Sequence, residues 1–362
     1  MSLLFEGLRV IDLSTVLAGP SVAMFFAELG ASVIKVENPR TGGDITRTWK
    51  LPVESADTSV SAYFASVNYR KKIIWLDLTN SACRQELLRM IRETDVLITN
   101  FKFGDAEKFG LSDRDLAAIH PGLIHGKITG FSGMPERVAF DVVLQAETGF
   151  MGMNGTPETG PVKMPVAMID VLAAHQLKEG LLCALIERGR TGKGQVVRVS
   201  LEQAGIASLA NQASNYLMAG AIAKPSGSLH PNIAPYGEAF VCGDGHSIVL
   251  AIGSDKQFAV LSEILGKPGL AQDQAYASNP SRVIHRTRLS IELGPLFLPR
   301  TASEWMEDFI RNHVPAGIIK TMNEVFENPE AIAMIREEEI DGTLTRRVTS
   351  IAFECSPLTP EV

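Results

Sequence analysis

A chain of 362 residues with 34 lysines and arginines against 41 aspartates and glutamates carries a formal charge of −7, which disfavours a general nucleic-acid binder, whose basic surface dominates its balance. With 45% hydrophobic and 21% charged residues the chain has the material for a large core, so global disorder is excluded, and its length suggests about two domains. The four cysteines, Cys83, Cys183, Cys242 and Cys355, are scattered without a CxxC pair, which argues against a disulfide or zinc framework and for a reducing, cytoplasmic setting.

Residues 1–6 lack the basic and apolar regions of a signal peptide, so no export is expected. The apolar runs 21–36 and 138–153 are interrupted, the first by Glu28 and Gly30, the second by Asp141, Gln145 and Glu147. Neither offers the ~20 apolar residues of a membrane span.

Residues 8–13 read as a strand, 20–29 as a helix opened by Pro20 and closed by Gly30, and 32–36 as a second strand, which makes one βαβ unit. Runs 73–78, 82–93, 95–99 and 123–129 continue the alternation, predicting a mostly parallel sheet covered by helices. The strongest helical pattern covers 170–188, with Leu177, Leu181 and Leu185 on one face and Gly189 as its expected end. A strand over 195–200 and a helix over 201–218 follow. Breakers then crowd residues 224–235, which predicts a linker. Beyond it, 237–242 and 246–251 flank Gly243-Asp244-Gly245, the signal of a hairpin. Helical patterns at 256–265 and 303–311 complete a smaller α+β unit.

The seven histidines form no HxH or HxxxH pair, so a histidine-built metal site is not expected. No GxSxG elbow or GxxxxGK[ST] loop is present, and Gly192-Lys193-Gly194, without a preceding strand or a third glycine, reads as a turn.

Phrases spread along the chain carry more. Leu13-Ser14-Thr15-Val16-Leu17-Ala18-Gly19-Pro20 and Leu29-Gly30-Ala31-Ser32-Val33-Ile34-Lys35-Val36-Glu37 are followed by Tyr63-Phe64 with Val67-Asn68, and by Leu76-Asp77-Leu78. Asp95-Val96-Leu97 with Asn100-Phe101, Phe109-Gly110-Leu111-Ser112, Arg190-Thr191-Gly192-Lys193-Gly194-Gln195 and Val314-Pro315-Ala316-Gly317 complete the series. In this order, over roughly residues 4 to 335, the chain closely resembles the family III CoA-transferases, a group that includes formyl-CoA transferase, carnitine CoA-transferase and α-methylacyl-CoA racemase. The resemblance implies an α/β fold with a Rossmann-like large domain at 1–219. It also implies a smaller α+β domain at 220–325, a segment at 326–362 returning to the large domain, and an interlocked homodimer.

The resemblance also implies an aspartate nucleophile, and Asp170 in Val166-Ala167-Met168-Ile169-Asp170 occupies its place. A carboxylate attacking a thioester carbonyl gives an acyl-aspartyl anhydride and releases CoA thiolate; anhydride and aspartyl-CoA steps then deliver CoA to an incoming acid. From the residues alone Asp170 reads more readily as a helix N-cap, a role worth ~1 kcal/mol; the aligned phrases turn the balance to catalysis. The family's Thr-Gly pair after this aspartate is replaced by Ala173-Ala174-His175. His175, about 140° around the helix from Asp170, reads as structural.

Asp141 is the second catalytic candidate, because formyl-CoA transferases carry an acidic residue there near the nucleophile; the alternative is another helix cap. Racemases of the family resemble a His-Asp pattern at this point, and their histidine exchanges the α-proton. Phe140 stands here instead, which favours transfer.

CoA enters as a substrate, with no permanently bound cofactor expected. Its phosphates call for cations or helix starts; Arg70-Lys71-Lys72, Lys35, Arg47 and Lys102 are candidates. By the family's pattern Val16 lines the CoA site, Leu76 meets the adenosine end, Asn100 and Phe101 lie at the nucleotide, and Lys102 and Lys108 replace arginines near the phosphates. Lysine keeps the charge and loses the bidentate fork. The loop around Gly227-Ser228-Leu229-His230 has one glycine where formyl-CoA transferase has a tetraglycine loop, which disfavours that specificity; His230, a loop histidine without a visible partner, is a further acyl-pocket candidate. The expected activity is CoA transfer between an acyl-CoA and a carboxylic acid. The alternatives are a 2-methylacyl-CoA racemase and a catalytically silent CoA-binding homologue.

Overall fold

In the computed structural model, which describes residues 4–356, the apolar alternation of the first segment gives strand β1 (Arg9–Asp12), helix α1 (Ala18–Glu28) and strand β2 (Ser32–Glu37). Strand β3 (Lys71–Trp75), helix α2 (Ser81–Ile91), strand β4 (Val96–Thr99), helix α3 (Asp113–Ile119) and strand β5 (Ile124–Thr129) continue it. After helix α4 (Asp141–Glu147) and the long helix α5 (Met168–Thr191), strand β6 (Gln195–Ser200) completes a six-stranded sheet. Residues 1–3 of the expected N-terminal segment and 357–362 of the expected C-terminal segment lie outside the described residues.

All pairings in this sheet are parallel, in the order β3-β2-β1-β4-β5-β6. That is the order of doubly wound nucleotide-binding sheets, whose ligands sit where the strand order reverses, beyond the carboxyl ends of the first and fourth strands. Helix α1 and helix α5 share one core, with Val22, Phe26, Leu177 and Leu181 wholly buried. Each such side chain contributes about 1.5–3 kcal/mol on burial. Gly19 lets α1 begin against the β1 loop, since a Cβ there would overlap the Ser14 hydroxyl.

Two helix expectations are corrected. Helix α5 runs through Gly189, which keeps helical backbone, and stops at Gly192, whose φ of 70° supplies the left-handed C-cap. The single helix expected over 201–218 is two, α6 (Leu201–Ala207) and α7 (Ala210–Ala219), because Ala210 takes a φ of 50° and interrupts the helical ladder.

The chain divides into two units, one running up to Pro225 and resuming at Ala333, the other Ser226–Ile332. In the second, β7 (Tyr236–Val241) and β8 (Ser247–Ala251) pair antiparallel, followed by helices α8 (Asp255–Ile264), α9 (Arg286–Phe297) and α10 (Ala302–Arg311) and strand β9 (Ala316–Ile318), which pairs with β8. Phe240, Phe258, Phe297, Trp305 and Phe309 fill its core. In the first unit, the closing hairpin of β10 (Ile335–Ile340) and β11 (Thr343–Val348) is tied back by buried Arg347, which bonds Glu28 of α1 at 2.7 Å.

Candidate active site

Three of the expected phosphate-binding cations are structural counter-charges. Lys35 on β2 is wholly buried and donates to the Ser14 carbonyl at 2.9 Å and to Asp44 at 3.2 Å. Lys71 on β3 is also fully buried and donates to Asp12, Asn68 and the Pro20 carbonyl at 2.8 to 2.9 Å. Burial brings its pKa down to about 8 against the opposing pull of Asp12. For Asp12, burial pushes the pKa up, but Lys71 and Lys35 outweigh it and hold the carboxyl below its ordinary value. Arg47 is buried between Glu37 and Asp341. Lys35 and Lys71 are carried into the interior by parallel strands and Arg47 by the short helical turn Ile45–Thr48; an unpaired charge there would cost several kcal/mol.

Above this layer lies a cavity of about 300 Å³ at the carboxyl ends of β1 to β4. Its walls include Thr15, Leu76, Asn100, Phe101 and Lys102. Four of the six residues expected to bind CoA, Leu76, Asn100, Phe101 and Lys102, therefore come together. Val16 and Lys108 are not in its lining: Val16 follows the lining residue Thr15, and exposed Lys108 lies 4.0 Å from Asp105. Asn100 uses its side chain on the loop after β1, accepting from Thr15 N–H at 3.0 Å and donating to Thr15 C=O at 2.8 Å.

Asp170 sits in the first turn of α5 and is 8% exposed. It is not the N-cap; Ala167 holds that place, and among the described residues no hydrogen bond restrains the Asp170 carboxyl group. Burial first, and the charge of Asp141 second, push its pKa up to about 7. A carboxylate whose proton affinity is raised in this way is a stronger nucleophile when ionised.

Asp141 closes the start of α5 from another helix. Its Oδ1 accepts the backbone N–H groups of Ile169 at 2.7 Å and Asp170 at 3.3 Å, satisfying donors that the helix cannot pair internally. Gln145, one turn along α4 and buried, donates to Asp141 Oδ2 at 2.6 Å and accepts from Met164 N–H at 2.8 Å. The cap alternatives for the two aspartates thus exchange: the residue that caps α5 is Asp141.

Tyr63, quoted in the sequence only as part of a phrase, belongs to this neighbourhood. Burial, then the charges of Asp170, Asp141 and Asp44, push its hydroxyl up to about 12, so it keeps its proton. Asp44 and Gln145 have local partners, Thr46 and Asp141, but the contacts that tie them to this site, with Val16 and Met164, span 28 and 19 positions and leave no mark in the sequence. His175 is exposed while Asp170 is buried, and the exposed Phe140 supplies only the backbone before α4. In the second unit His230 packs on Tyr236, ring centroids 5.0 Å apart, and accepts the Asn232 N–H. Among the described residues no cluster of three His, Cys, Asp or Glu is placed to hold a metal, and no helix is long and apolar enough to cross a membrane.

Known proteins resemble this chain over nearly its whole length. The description of CoA-transferase family III matches residues 5–359. The succinate–glutarate CoA-transferase of Agrobacterium fabrum is 37% identical over 98% of this chain and 90% of its own length. The succinyl-CoA:glutarate CoA-transferase of Homo sapiens is 34% identical over 90% and 74%. Among solved structures, a CAIB/BAIF family protein from Brucella suis superposes with a TM-score of 0.85 at 37% identity, covering 96% of this chain and 92% of that one.

Proposed function

The chain belongs to CoA-transferase family III and is an enzyme that moves CoA between an acyl-CoA thioester and a carboxylic acid, and from that premise we propose that Asp170 carries the reaction. The observation behind the assignment is its position: a buried carboxyl group, unrestrained by hydrogen bonds, with its pKa raised to about 7. The ionised Asp170 attacks the donor carbonyl; the C–S bond breaks and CoA leaves as thiolate. The thiolate attacks the Asp170 carbonyl of the anhydride, the donor acid departs, and an aspartyl-CoA thioester remains. The acceptor carboxylate and the same thiolate repeat the two exchanges in reverse order, which restores Asp170.

Asp141 holds the helix start and, after burial, adds the charge that raises Asp170 further, so its role is to orient and tune. Protonated Tyr63 gives the site a neutral hydrogen-bond donor beside two carboxylates. The cavity at the strand ends is the CoA site in this reading, with Leu76, Phe101 and Lys102 in its wall. CoA is a substrate and not a resident group. The family resemblance supports a cytoplasmic homodimer, for which the exposed Tyr216, Leu217 and Met218 of α7 offer an apolar surface.

Relatives named for succinyl, glutarate and mesaconate transfer support short dicarboxylic acids as the exchanged acyl groups. A mass-spectrometric panel of acyl-CoA donors against carboxylic acceptors tests this. Succinyl-CoA with glutarate should give glutaryl-CoA faster than monocarboxylic pairs do. Transfer confined to monocarboxylic acids would overturn the assignment.

A further inference from the structure

The loop joining β1 to α1 contains a backbone conformation that its residue does not favour. Val16 has a φ of 73°, the left-handed region, where a Cβ crowds the backbone and a β-branched side chain is least tolerated. Among the described residues it is the only β-branched one there; the other non-glycine cases are Arg70, Ala210, His313 and Asp341. Such a conformation persists only where the surroundings over-determine it.

Here they do. The Asp44 carboxylate accepts the Val16 N–H, at 3.1 Å to Oδ2 and 3.3 Å to Oδ1. Asp44 is itself locked: it is 2% exposed, takes bonds from Thr46 N–H and Oγ1, and pairs with fully buried Lys35. Lys35 in turn holds the Ser14 carbonyl, and Asn100 holds both backbone polar groups of Thr15. Three side chains from separate segments thus grip three successive residues, and Thr15 and Asp44 both face the cavity.

We propose that Asp44 is a positioning residue for acyl-CoA binding: by accepting the Val16 N–H it holds the left-handed turn that sets the β1–α1 loop as a wall of the CoA cavity. The inference rests on the reading of that cavity as the CoA site. With Asp44 removed, Val16 relaxes toward negative φ and the wall at Thr15 moves. Glycine adopts the left-handed region without penalty, so replacing Val16 removes the need for the grip.

Steady-state kinetics and calorimetry with CoA on the full chain provide the test. Asp44→Ala should raise the KM for acyl-CoA about tenfold or more, with a much smaller change in kcat, and adding Val16→Gly to it should recover most of the loss. Asp44→Asn, which keeps an oxygen acceptor and nearly the same shape, should show a smaller rise, also reversed by Val16→Gly; it carries the test if the alanine variant fails to fold. A KM loss that Val16→Gly does not recover, or an effect on kcat alone, overturns the proposal. Leu76→Glu separates the two levels. If it abolishes CoA binding while the Asp44 variants bind normally, the role of Asp44 fails and the cavity reading stands; if it leaves binding untouched, the cavity reading fails and the proposal with it.

Discussion

The Asp141 carboxylate accepts the backbone N–H of Asp170 at 3.3 Å while its charge, second to burial, raises the Asp170 carboxyl to about 7. One side chain therefore helps to fix where the proposed nucleophile stands and adds to the hold that burial gives it on its proton. The two effects respond differently to substitution.

The first expected consequence is a pH dependence. Asp170 must be ionised to attack, so kcat/KM of the free enzyme should fall about tenfold per pH unit below about pH 7. Asp141→Asn removes the like charge and should move this limb to lower pH, though not to the ordinary carboxylate range, because burial is the larger cause. An unchanged limb in Asp141→Asn would remove Asp141 from the tuning role.

A second concerns stability, with its sign fixed by linkage. Asp170 has a folded pKa of about 7 against 3.8 for the free side chain, so between these values the native state binds more protons and loses stability as pH rises. Asp170→Asn escapes that loss. Relative to wild type at pH 4, the variant should gain stability by pH 8, by up to about 4 kcal/mol, in urea unfolding at both pH values. A wild type that gains on the variant across this interval would contradict the raised pKa.

The capping role separates from the charge through a third comparison. Asp141→Ala strips an acceptor from the start of the 24-residue helix α5 and should cost about 1–2 kcal/mol, whereas Asp141→Asn keeps an oxygen there and should cost less. Thermal unfolding of the two variants checks this; equal losses would assign the effect to charge alone.

What the sequence made legible follows the range of each interaction. The β1–α1–β2 unit, the Gly243–Gly245 turn and the face of Leu177 and Leu181 depend on neighbours a few residues apart, and they are visible as periodicity and breakers. Gly189 misled because a glycine ends a helix only where the backbone turns left-handed, which here occurs at Gly192. Lys35, Arg47 and Lys71 looked like phosphate ligands because charge is visible in a sequence and burial is not. Asp170 was located by the resemblance; its geometry was hidden, since the cap on its helix comes from 28 to 29 residues earlier. Tyr63 stood in plain view in a phrase, without any local mark of its nearness to Asp170.

For the nucleotide, Lys102 lines the cavity and Lys108 does not. Lys102→Ala should weaken CoA up to about tenfold, the scale of one partly solvated phosphate contact, and weaken dephospho-CoA less if the contact is to the 3′-phosphate. Lys108→Ala should have a smaller effect on both. Calorimetry showing the larger loss at Lys108 would reverse the two assignments.

Phe140 carries no titratable group, so a chiral 2-methylacyl-CoA should keep its α-proton in deuterated water with the wild-type enzyme. Rapid deuterium incorporation that is lost in Asp170→Ala would establish proton-transfer chemistry at this site and reopen the racemase alternative.

CoA passes through Asp170 covalently in this mechanism, and borohydride trapping captures that bond. Wild-type enzyme incubated with succinyl-CoA, reduced and mapped by peptide mass spectrometry, should show Asp170 converted to homoserine by reduction of its thioester. Asp170→Ala should show no trapped residue and no transfer, with its far-ultraviolet circular dichroism unchanged. Trapping at another carboxylate, or near-wild-type transfer by Asp170→Ala, would contradict the assignment.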